Sequence, residues 1–173
     1  MKIAVYTGSF DPITLGHLDV IQRSSRLVES LVVGIGVNTE KQGLFSTGER
    51  IDLVQRCTQN LDNVEVRSFE GLAVNFVTDC GANVMIRGVR PLTDVAAEIT
   101  MTMANRQLND HLETVFLMAD SKYAHVSSSL LKQIAPLADD DQLARFIPRE
   151  IIPDLRDKIR KLSEGAEPLD PAE

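Results

Sequence analysis

The chain has 173 residues, of which 43% are hydrophobic, and this suffices for one domain with a substantial core. Its formal net charge of −7 excludes a broadly basic surface, so we expect no binding to nucleic acid or to an acidic membrane. No apolar run approaches the roughly eighteen residues of a membrane span, and the start is not signal-like. Cys57 and Cys80 lie far apart without metal-ligand spacing, so we expect free thiols and a cytoplasmic protein. We predict a single domain over residues 1–162 and a frayed acidic tail over residues 163–173.

A turn between a strand and a helix is the most distinctive stretch near the N-terminus. A short run rich in β-branched residues, 2–6, predicts a buried strand, and apolar residues from Leu18 onward recur at helical spacing. Residues 7–17 between them match neither the Walker loop nor the dinucleotide-binding glycine pattern. A helix N-terminus attracts anions, so we expect His17 to add a donor to an anion site. The alternative is a histidine that merely caps the helix.

The rest of the chain alternates between strand and helix patterns. Further strands are predicted at residues 31–37, 64–69, 83–86 and 114–118. Helices are predicted after the capping box of Ser46 and Glu49, at about residues 72–79, from residue 93, from residue 126, and in two short pieces divided by Pro148. This alternation predicts parallel pairing with right-handed crossovers, and hence a three-layer, doubly wound α/β domain with a Rossmann-like sheet.

Loops at the carboxyl ends of parallel strands bind ligands in such sheets, and here they collect polar and basic residues. These residues are Ser9, His17, Lys41, Arg87, Arg90 and Ser127 to Ser129. Guanidinium groups and helix N-termini are strong partners of phosphate oxygens, so together they favour a site for several phosphates. The sequence has no Ser-His-Asp order, Cys-His pair or metal-ligand cluster. The chemistry that it favours is therefore nucleotidyl or phosphoryl transfer by positioning and charge stabilisation.

Residues 7–17 also resemble the signature of the adenylyl- and cytidylyltransferase superfamily, with Thr14 in the place of the first histidine of the commoner His-x-Gly-His form. Four further segments extend the resemblance over residues 2–160 to the bacterial phosphopantetheine adenylyltransferases. These segments are Leu-Phe-Ser-x-x-Glu-Arg, Ile-Arg-Gly-Val-Arg, Met-Ala-Asn-Arg and Val-Ser-Ser-Ser. That family joins ATP and 4′-phosphopantetheine into dephospho-CoA and pyrophosphate in coenzyme A synthesis, with Mg²⁺.

The resemblance implies the same reaction here, by direct in-line attack on the α-phosphorus without an enzyme nucleophile. It assigns catalysis to His17 and Lys41. It assigns ATP binding to Ser9, Phe10, His17, Gly88, Val89, Arg90, Glu98, Tyr123, Ala124, His125, Val126, Ser127, Ser128 and Ser129. It assigns 4′-phosphopantetheine binding to Ser9, Lys41, Ala73, Arg87 and Asn105. Mg²⁺ is expected to arrive with ATP, with no side-chain metal site.

The family also forms hexamers, which implies a homohexamer here. Val74, Phe76 and Val77, on one predicted helix, are the candidate subunit contacts that the sequence suggests. The chain departs from the family pattern around Glu98, because Ala96 and Ala97 replace the usual aromatic and acidic residues, and this bears on the adenine contacts.

Three more departures lie in the turn of residues 7–17 and in the loop that contains Lys41. Thr7 stands in place of proline, Leu15 in place of asparagine, and residues 39–43 in place of a proline-containing loop.

Two other functions remain open at this point. One is another enzyme of the superfamily, such as a nicotinamide-mononucleotide adenylyltransferase or a cytidylyltransferase. Those enzymes have an arginine after their serine segment, whereas this chain has Lys132. The other is a non-catalytic nucleotide-binding module, which the joint presence of His17, Lys41, Arg87 and Arg90 disfavours.

Overall fold

A computed structural model describes residues 2–37, 43–90 and 94–165 of the chain. Five strands in these ranges form one parallel sheet: β1 (Ile3–Gly8), β2 (Ser30–Gly36), β3 (Val64–Phe69), β4 (Val84–Val89) and β5 (Glu113–Met118). Their order across the sheet is β3-β2-β1-β4-β5. The winding direction reverses between β1 and β4, and such a switch point is where open α/β sheets bind ligands.

Helices cover both faces of the sheet. They are α1 (Leu15–Ser25), α2 (Thr47–Thr58), α3 (Ala73–Asp79), α4 (Val95–Leu108), α5 (Ser128–Ile134), α6 (Asp140–Leu143) and α7 (Ile152–Gly165). Single 3₁₀ turns lie at Ser121–Tyr123 and Arg149–Ile151. The predicted three-layer, doubly wound α/β fold is confirmed.

The sheet separates two apolar clusters, and successive side chains of β1 lie in one cluster or the other. Ala4 and Tyr6 point into the larger apolar cluster, whereas Val5 points into a smaller cluster on the opposite face. Side chains on a strand alternate between faces, so a central strand that is covered on both sides is apolar throughout. Edge strand β3 instead alternates between partly buried and exposed residues over residues 64–67, as its sequence pattern predicts.

The helix suggested for subunit contacts is α3, and that suggestion is wrong. Val74, Phe76 and Val77 are buried in the smaller cluster of their own chain, where they pack against the sheet. Exposed apolar side chains lie instead on α4 and at the edge strand β5. They are Val95, Ile99, Met101, Met103, Leu108, Phe116 and Met118.

The C-terminal region differs from the two short helices expected there. Helix α6 is short, but α7 has 14 residues and packs on α2 through ion pairs such as Lys158 with Glu49, at 2.7 Å. It continues through residues 163–165 of the expected tail, and residues 166–173 lie outside the described ranges. Within the described residues, no helix is long and apolar enough to span a membrane.

Candidate active site

A cavity of about 320 Å³ opens at the carboxyl ends of β1 and β4, the switch point of the sheet. The predicted site residues that line it are Ser9, His17, Arg87, Gly88, Arg90, Glu98, Tyr123, Val126, Ser127, Ser128 and Ser129. Residues that were not predicted to bind substrate also line it, among them Tyr6, Thr7, Thr14 and Asp94. The topology thus brings together most of the residues that were expected at this edge.

The turn after β1 is anchored by a buried carboxylate. Asp11 accepts hydrogen bonds from the backbone N–H groups of Leu44, at 2.9 Å, and Phe45, at 2.8 Å, and forms an ion pair with Lys132 on α5. Burial acts to raise the pKa of Asp11, but Lys132 and the two amides outweigh it and hold this pKa below its usual value. One side chain therefore ties the turn to α5 and to the chain just before α2.

Phe10 supports the turn from behind. Its φ of 47° lies in the left-handed region, which non-glycine residues rarely adopt. Its ring is fully buried and meets the rings of Tyr6 and His17 edge to face, with centroids 5.4 and 5.1 Å away. The side chain does not line the cavity. Because its ring packs against the His17 ring, Phe10 helps to fix the position of that ring.

A buried arginine, Arg50, also holds the turn after β1 in place. Arg50 on α2 donates to the Ser9 carbonyl oxygen at 2.8 Å and to the Gly36 carbonyl oxygen at 3.1 Å. Ser9 directly follows β1, and Gly36 is the last residue of β2. The guanidinium therefore fixes the chain where it leaves both strands.

The His17 ring is oriented by the start of α1. His17 and Thr14 form a capping box in which the Thr14 backbone N–H donates to His17 Nδ1 at 3.2 Å. Because Nδ1 accepts this bond, the neutral ring carries its proton on Nε2. Burial, with further contributions from Arg90 and Arg87, lowers the pKa of His17 to about 4. Near neutral pH, His17 is therefore an uncharged N–H donor at the cavity.

Arg87 is held almost completely by protein groups. Its Nη1 donates to the Thr7 carbonyl oxygen at 2.7 Å and to Thr7 Oγ1 at 3.1 Å. Its Nε and Nη2 donate to the two carboxylate oxygens of Glu98 at 2.7 and 2.6 Å. Of the five N–H groups of a guanidinium, one on Nη2 remains without a partner among the described residues. Arg87 thus ties β1, β4 and α4 together and keeps one donor.

Arg90 is held differently, by Asp94. Its Nε and Nη2 each donate to an Asp94 carboxylate oxygen at 2.7 Å, and its Nη1 lies 3.5 Å from the Val126 carbonyl oxygen. Sequence reasoning missed Asp94, although the four-residue spacing from Arg90 is a recognised signal for an ion pair on a helix. The preceding residues 91–93 lie outside the described ranges.

The serines at α5 are largely engaged in the fold. Ser127 caps the helix, since its Oγ accepts from the Leu130 N–H at 3.1 Å, and Ser128 Oγ donates to the Pro12 carbonyl oxygen at 2.8 Å. Two of the three hydroxyl groups thus have protein partners, and Ser129 is exposed.

Several predicted site residues do not line the cavity. They are Phe10, Ala73, Val89, Asn105, Ala124 and His125. Ala73 packs at the start of α3, Asn105 is buried against Met85, and the exposed His125 meets the Phe146 ring edge-on. Lys41 lies outside the described residues. Within the described ranges, no three or more His, Cys, Asp or Glu side chains lie together in a group that could hold a metal ion.

Comparisons with known proteins extend the resemblance. A family model for cytidylyltransferase-like proteins matches residues 5–134. The phosphopantetheine adenylyltransferase of Rhodopirellula baltica is 64% identical over 159 residues, which make up 91% of this chain and 89% of that protein. The chain belongs to the phosphopantetheine adenylyltransferase family. The family member from Clostridium beijerinckii is 43% identical over 92% of this chain and 99% of its own length.

Solved structures agree at the level of the fold. The nicotinic acid mononucleotide adenylyltransferase of Plasmodium falciparum, solved with NaAD, has a TM-score of 0.58 and covers 93% of this chain and 95% of its own. At 17% identity this likeness shows the fold alone. The predictions of a nucleotidyltransferase fold and of membership in the phosphopantetheine adenylyltransferase family are both confirmed.

Proposed function

We propose that this chain transfers the adenylyl group of ATP to the phosphate of 4′-phosphopantetheine, giving dephospho-CoA and pyrophosphate in coenzyme A synthesis. The proposal rests on the cavity at the switch point of the sheet. It is supported by the 64% identity of the chain to a phosphopantetheine adenylyltransferase. The cavity lining combines a fixed neutral histidine with two arginines, which are the groups that phosphate transfer by positioning requires.

The proposed reaction is a direct in-line attack by the pantetheine phosphate on the α-phosphorus. Negative charge builds on the α-phosphate oxygens as the bond to pyrophosphate breaks, and we assign its stabilisation to the Nε2–H of His17, which lies at the cavity. A neutral donor is sufficient, because the hydrogen bond strengthens as the oxygen gains charge. Lys41, Ser9 and the serine segment remain proposed phosphate contacts of the same site.

The two arginines are proposed to divide the substrates. Arg90 retains the end of its guanidinium and is assigned to the ATP phosphates, whereas Arg87 retains one N–H and is assigned to the phosphate of phosphopantetheine. Six residues assigned to substrate binding do not line the cavity: Phe10, Ala73, Val89, Asn105, Ala124 and His125. Any contact that they make with a substrate would be through their backbone atoms or outside this cavity.

Mg²⁺ is proposed to arrive bound to the triphosphate. Both carboxylates of the described cavity lining, Asp94 and Glu98, are paired with arginines, which supports this route. Bound Mg²⁺ supplies charge neutralisation to phosphates.

A homohexamer in the cytoplasm is proposed for the assembled enzyme. The exposed apolar side chains of α4 and β5 support an assembly, since a helix with such a surface is typical of an interface. Sedimentation at micromolar concentration tests it, and a monomer would contradict it. Met103→Glu, at a residue that is 66% exposed, should shift the protein to smaller species.

The direct test of the function is pyrophosphate release from purified protein. ATP with 4′-phosphopantetheine should give pyrophosphate and dephospho-CoA in equal amounts, identified by mass spectrometry. Nicotinamide mononucleotide with ATP, and 4′-phosphopantetheine with CTP, serve as the controls that represent the other superfamily activities. Product from a control pair alone would overturn the proposed substrates, and no product from any pair would favour a binding module.

A further inference from the structure

The guanidinium of Arg90 is held firmly along one edge. Its Nε and Nη2 each donate to an Asp94 oxygen at 2.7 Å, and the Arg90 backbone N–H donates to the same carboxylate at 3.2 Å. The end edge consists of Nη1 and the second N–H of Nη2. Among the described residues this end meets only the Val126 carbonyl oxygen, at 3.5 Å, which is long for a hydrogen bond. The end edge therefore has the geometry to bind an anion.

Asp94 stands directly before α4, where an aspartate commonly caps a helix. Its side chain nevertheless accepts no hydrogen bond from the amides of the first turn of α4. It is turned toward Arg90, and both residues line the cavity. The carboxylate thus orients the arginine and does not cap the helix.

The charges of the cavity show that orientation matters there. Arg87, Arg90, Asp94 and Glu98 are the charged side chains of the described lining, and their formal charges cancel. His17 is neutral, because its pKa is lowered to about 4. A phosphate is consequently not drawn in by an excess of positive charge on these residues, and its affinity depends on how their N–H groups are aimed.

We infer that Asp94 is a positioning residue for ATP: it fixes the side edge of Arg90 so that the end edge faces the nucleotide phosphates. The inference rests on the proposed adenylyl transfer. Asp94 itself contacts no substrate in this role.

Neutralising Asp94 has two opposing effects, and their signs make the test decisive. Asp94→Asn adds one positive charge to the cavity, so a site governed by charge alone would bind ATP more tightly. Asparagine, however, has one acceptor oxygen in place of two and turns an NH₂ donor toward the guanidinium, so Arg90 loses its fixed orientation and binds ATP more weakly. We expect calorimetry to show a Kd for ATP raised about tenfold or more, with the Kd for 4′-phosphopantetheine within about twofold of the unchanged chain.

Matched variants separate positioning from charge and from folding. Asp157→Asn makes the same charge change in a helical pair with Arg160, 3.2 Å apart, on α7, which does not line the cavity, and should leave ATP affinity unchanged. Asp94→Glu retains a carboxylate and should recover most of the affinity. If Asp94→Asn does not fold, Asp94→Ser carries the same prediction, because serine can cap α4.

Two results would overturn the role of Asp94. One is a folded Asp94→Asn or Asp94→Ser protein that binds ATP as tightly as the unchanged chain, or more tightly. The other is an equal loss of affinity for both substrates. The unchanged chain is titrated and assayed alongside. If it neither binds ATP nor releases pyrophosphate, the proposed function itself fails and this inference fails with it.

Discussion

The two sides of the cavity are held in place by different kinds of contact. On the β1 side, His17 is fixed by its own helix start, by the Thr14 backbone and by the buried ring of Phe10. On the β4 side, Arg87 and Arg90 are fixed by the carboxylates of Glu98 and Asp94. Local backbone contacts therefore place the proposed catalytic donor, whereas side-chain ion pairs place the groups proposed to bind the substrates.

This difference predicts that changes on the β1 side affect turnover and changes on the β4 side affect affinity. A backbone-anchored donor can act on the transition state without altering how substrates bind. Arginines held by carboxylates set ground-state affinity, and their loss also leaves a carboxylate without its partner.

The largest effect is expected for His17→Ala. Removing one preorganised donor from a charge-stabilising site costs about 10²- to 10³-fold in kcat, and the ATP affinity should change little. Steady-state kinetics and ATP titration of the variant measure both quantities. His17→Gln is the matched control, because glutamine can keep the capping box and an N–H donor and should recover part of the activity. Near-normal turnover by folded His17→Ala would remove the residue from the mechanism.

Loss of either arginine should weaken one substrate selectively. Arg90→Ala should reduce ATP affinity, and Arg87→Ala should reduce 4′-phosphopantetheine affinity, each by about 2–3 kcal/mol, since hydrogen bonds to charged groups are worth this much. Lysine at either position should restore only part of the lost substrate affinity, because a point charge does not replace a guanidinium fork. Calorimetry with each substrate decides the assignment. The opposite pattern would reverse it, and no loss in either variant would make both arginines structural.

Arg87→Ala should also destabilise the fold. The change leaves the Glu98 carboxylate, whose side chain is 17% exposed, without its partner and frees the Thr7 carbonyl oxygen. We expect a loss of about 2 kcal/mol in the free energy of unfolding, measured with urea. The double variant Arg87→Met with Glu98→Leu should recover stability without recovering phosphopantetheine affinity. Recovery of both would mean that Arg87 acts only through the fold.

A smaller effect is expected from pH. The folded pKa of His17 is lowered from 6.5 to about 4, so the unfolded chain takes up a proton at higher pH than the folded chain does. The stability that comes from keeping the ring neutral is complete above about pH 6.5 and is lost as the pH falls toward 4. Relative to His17→Gln, the unchanged chain should lose about 2 kcal/mol between pH 7 and pH 4.5. A ring that titrates at 6.5 or above by NMR would contradict this.

The sequence predicted the sheet and the place of the site because both depend on local patterns. Continuous apolar runs identified the covered strands, and the rule for parallel sheets placed Ser9, His17, Arg87 and Arg90 at one edge. The partners of polar side chains depend on contacts between distant segments, and no local pattern shows them. For this reason the sequence did not show that Ser128 bonds to the Pro12 carbonyl oxygen.

The apolar patterns of α3 and α4 were ambiguous for a related reason. Both helices carry apolar residues at helical spacing, and spacing identifies an apolar face without showing what covers it. In the structure, Phe76 of α3 is buried in its own chain, while Met103 of α4 is exposed. Spacing alone therefore could not show that the apolar face of α3 is covered by its own chain.

In the proposed reaction ATP is attacked directly, and protein groups only position the phosphates and stabilise charge. This mechanism is tested most directly by the stereochemistry at the α-phosphorus, using ATP with one sulfur-substituted α-oxygen of defined configuration. A single in-line displacement inverts the configuration in the dephospho-CoA product, and inversion is what we predict. Retention would indicate two displacements through a covalent enzyme intermediate, and would contradict the account.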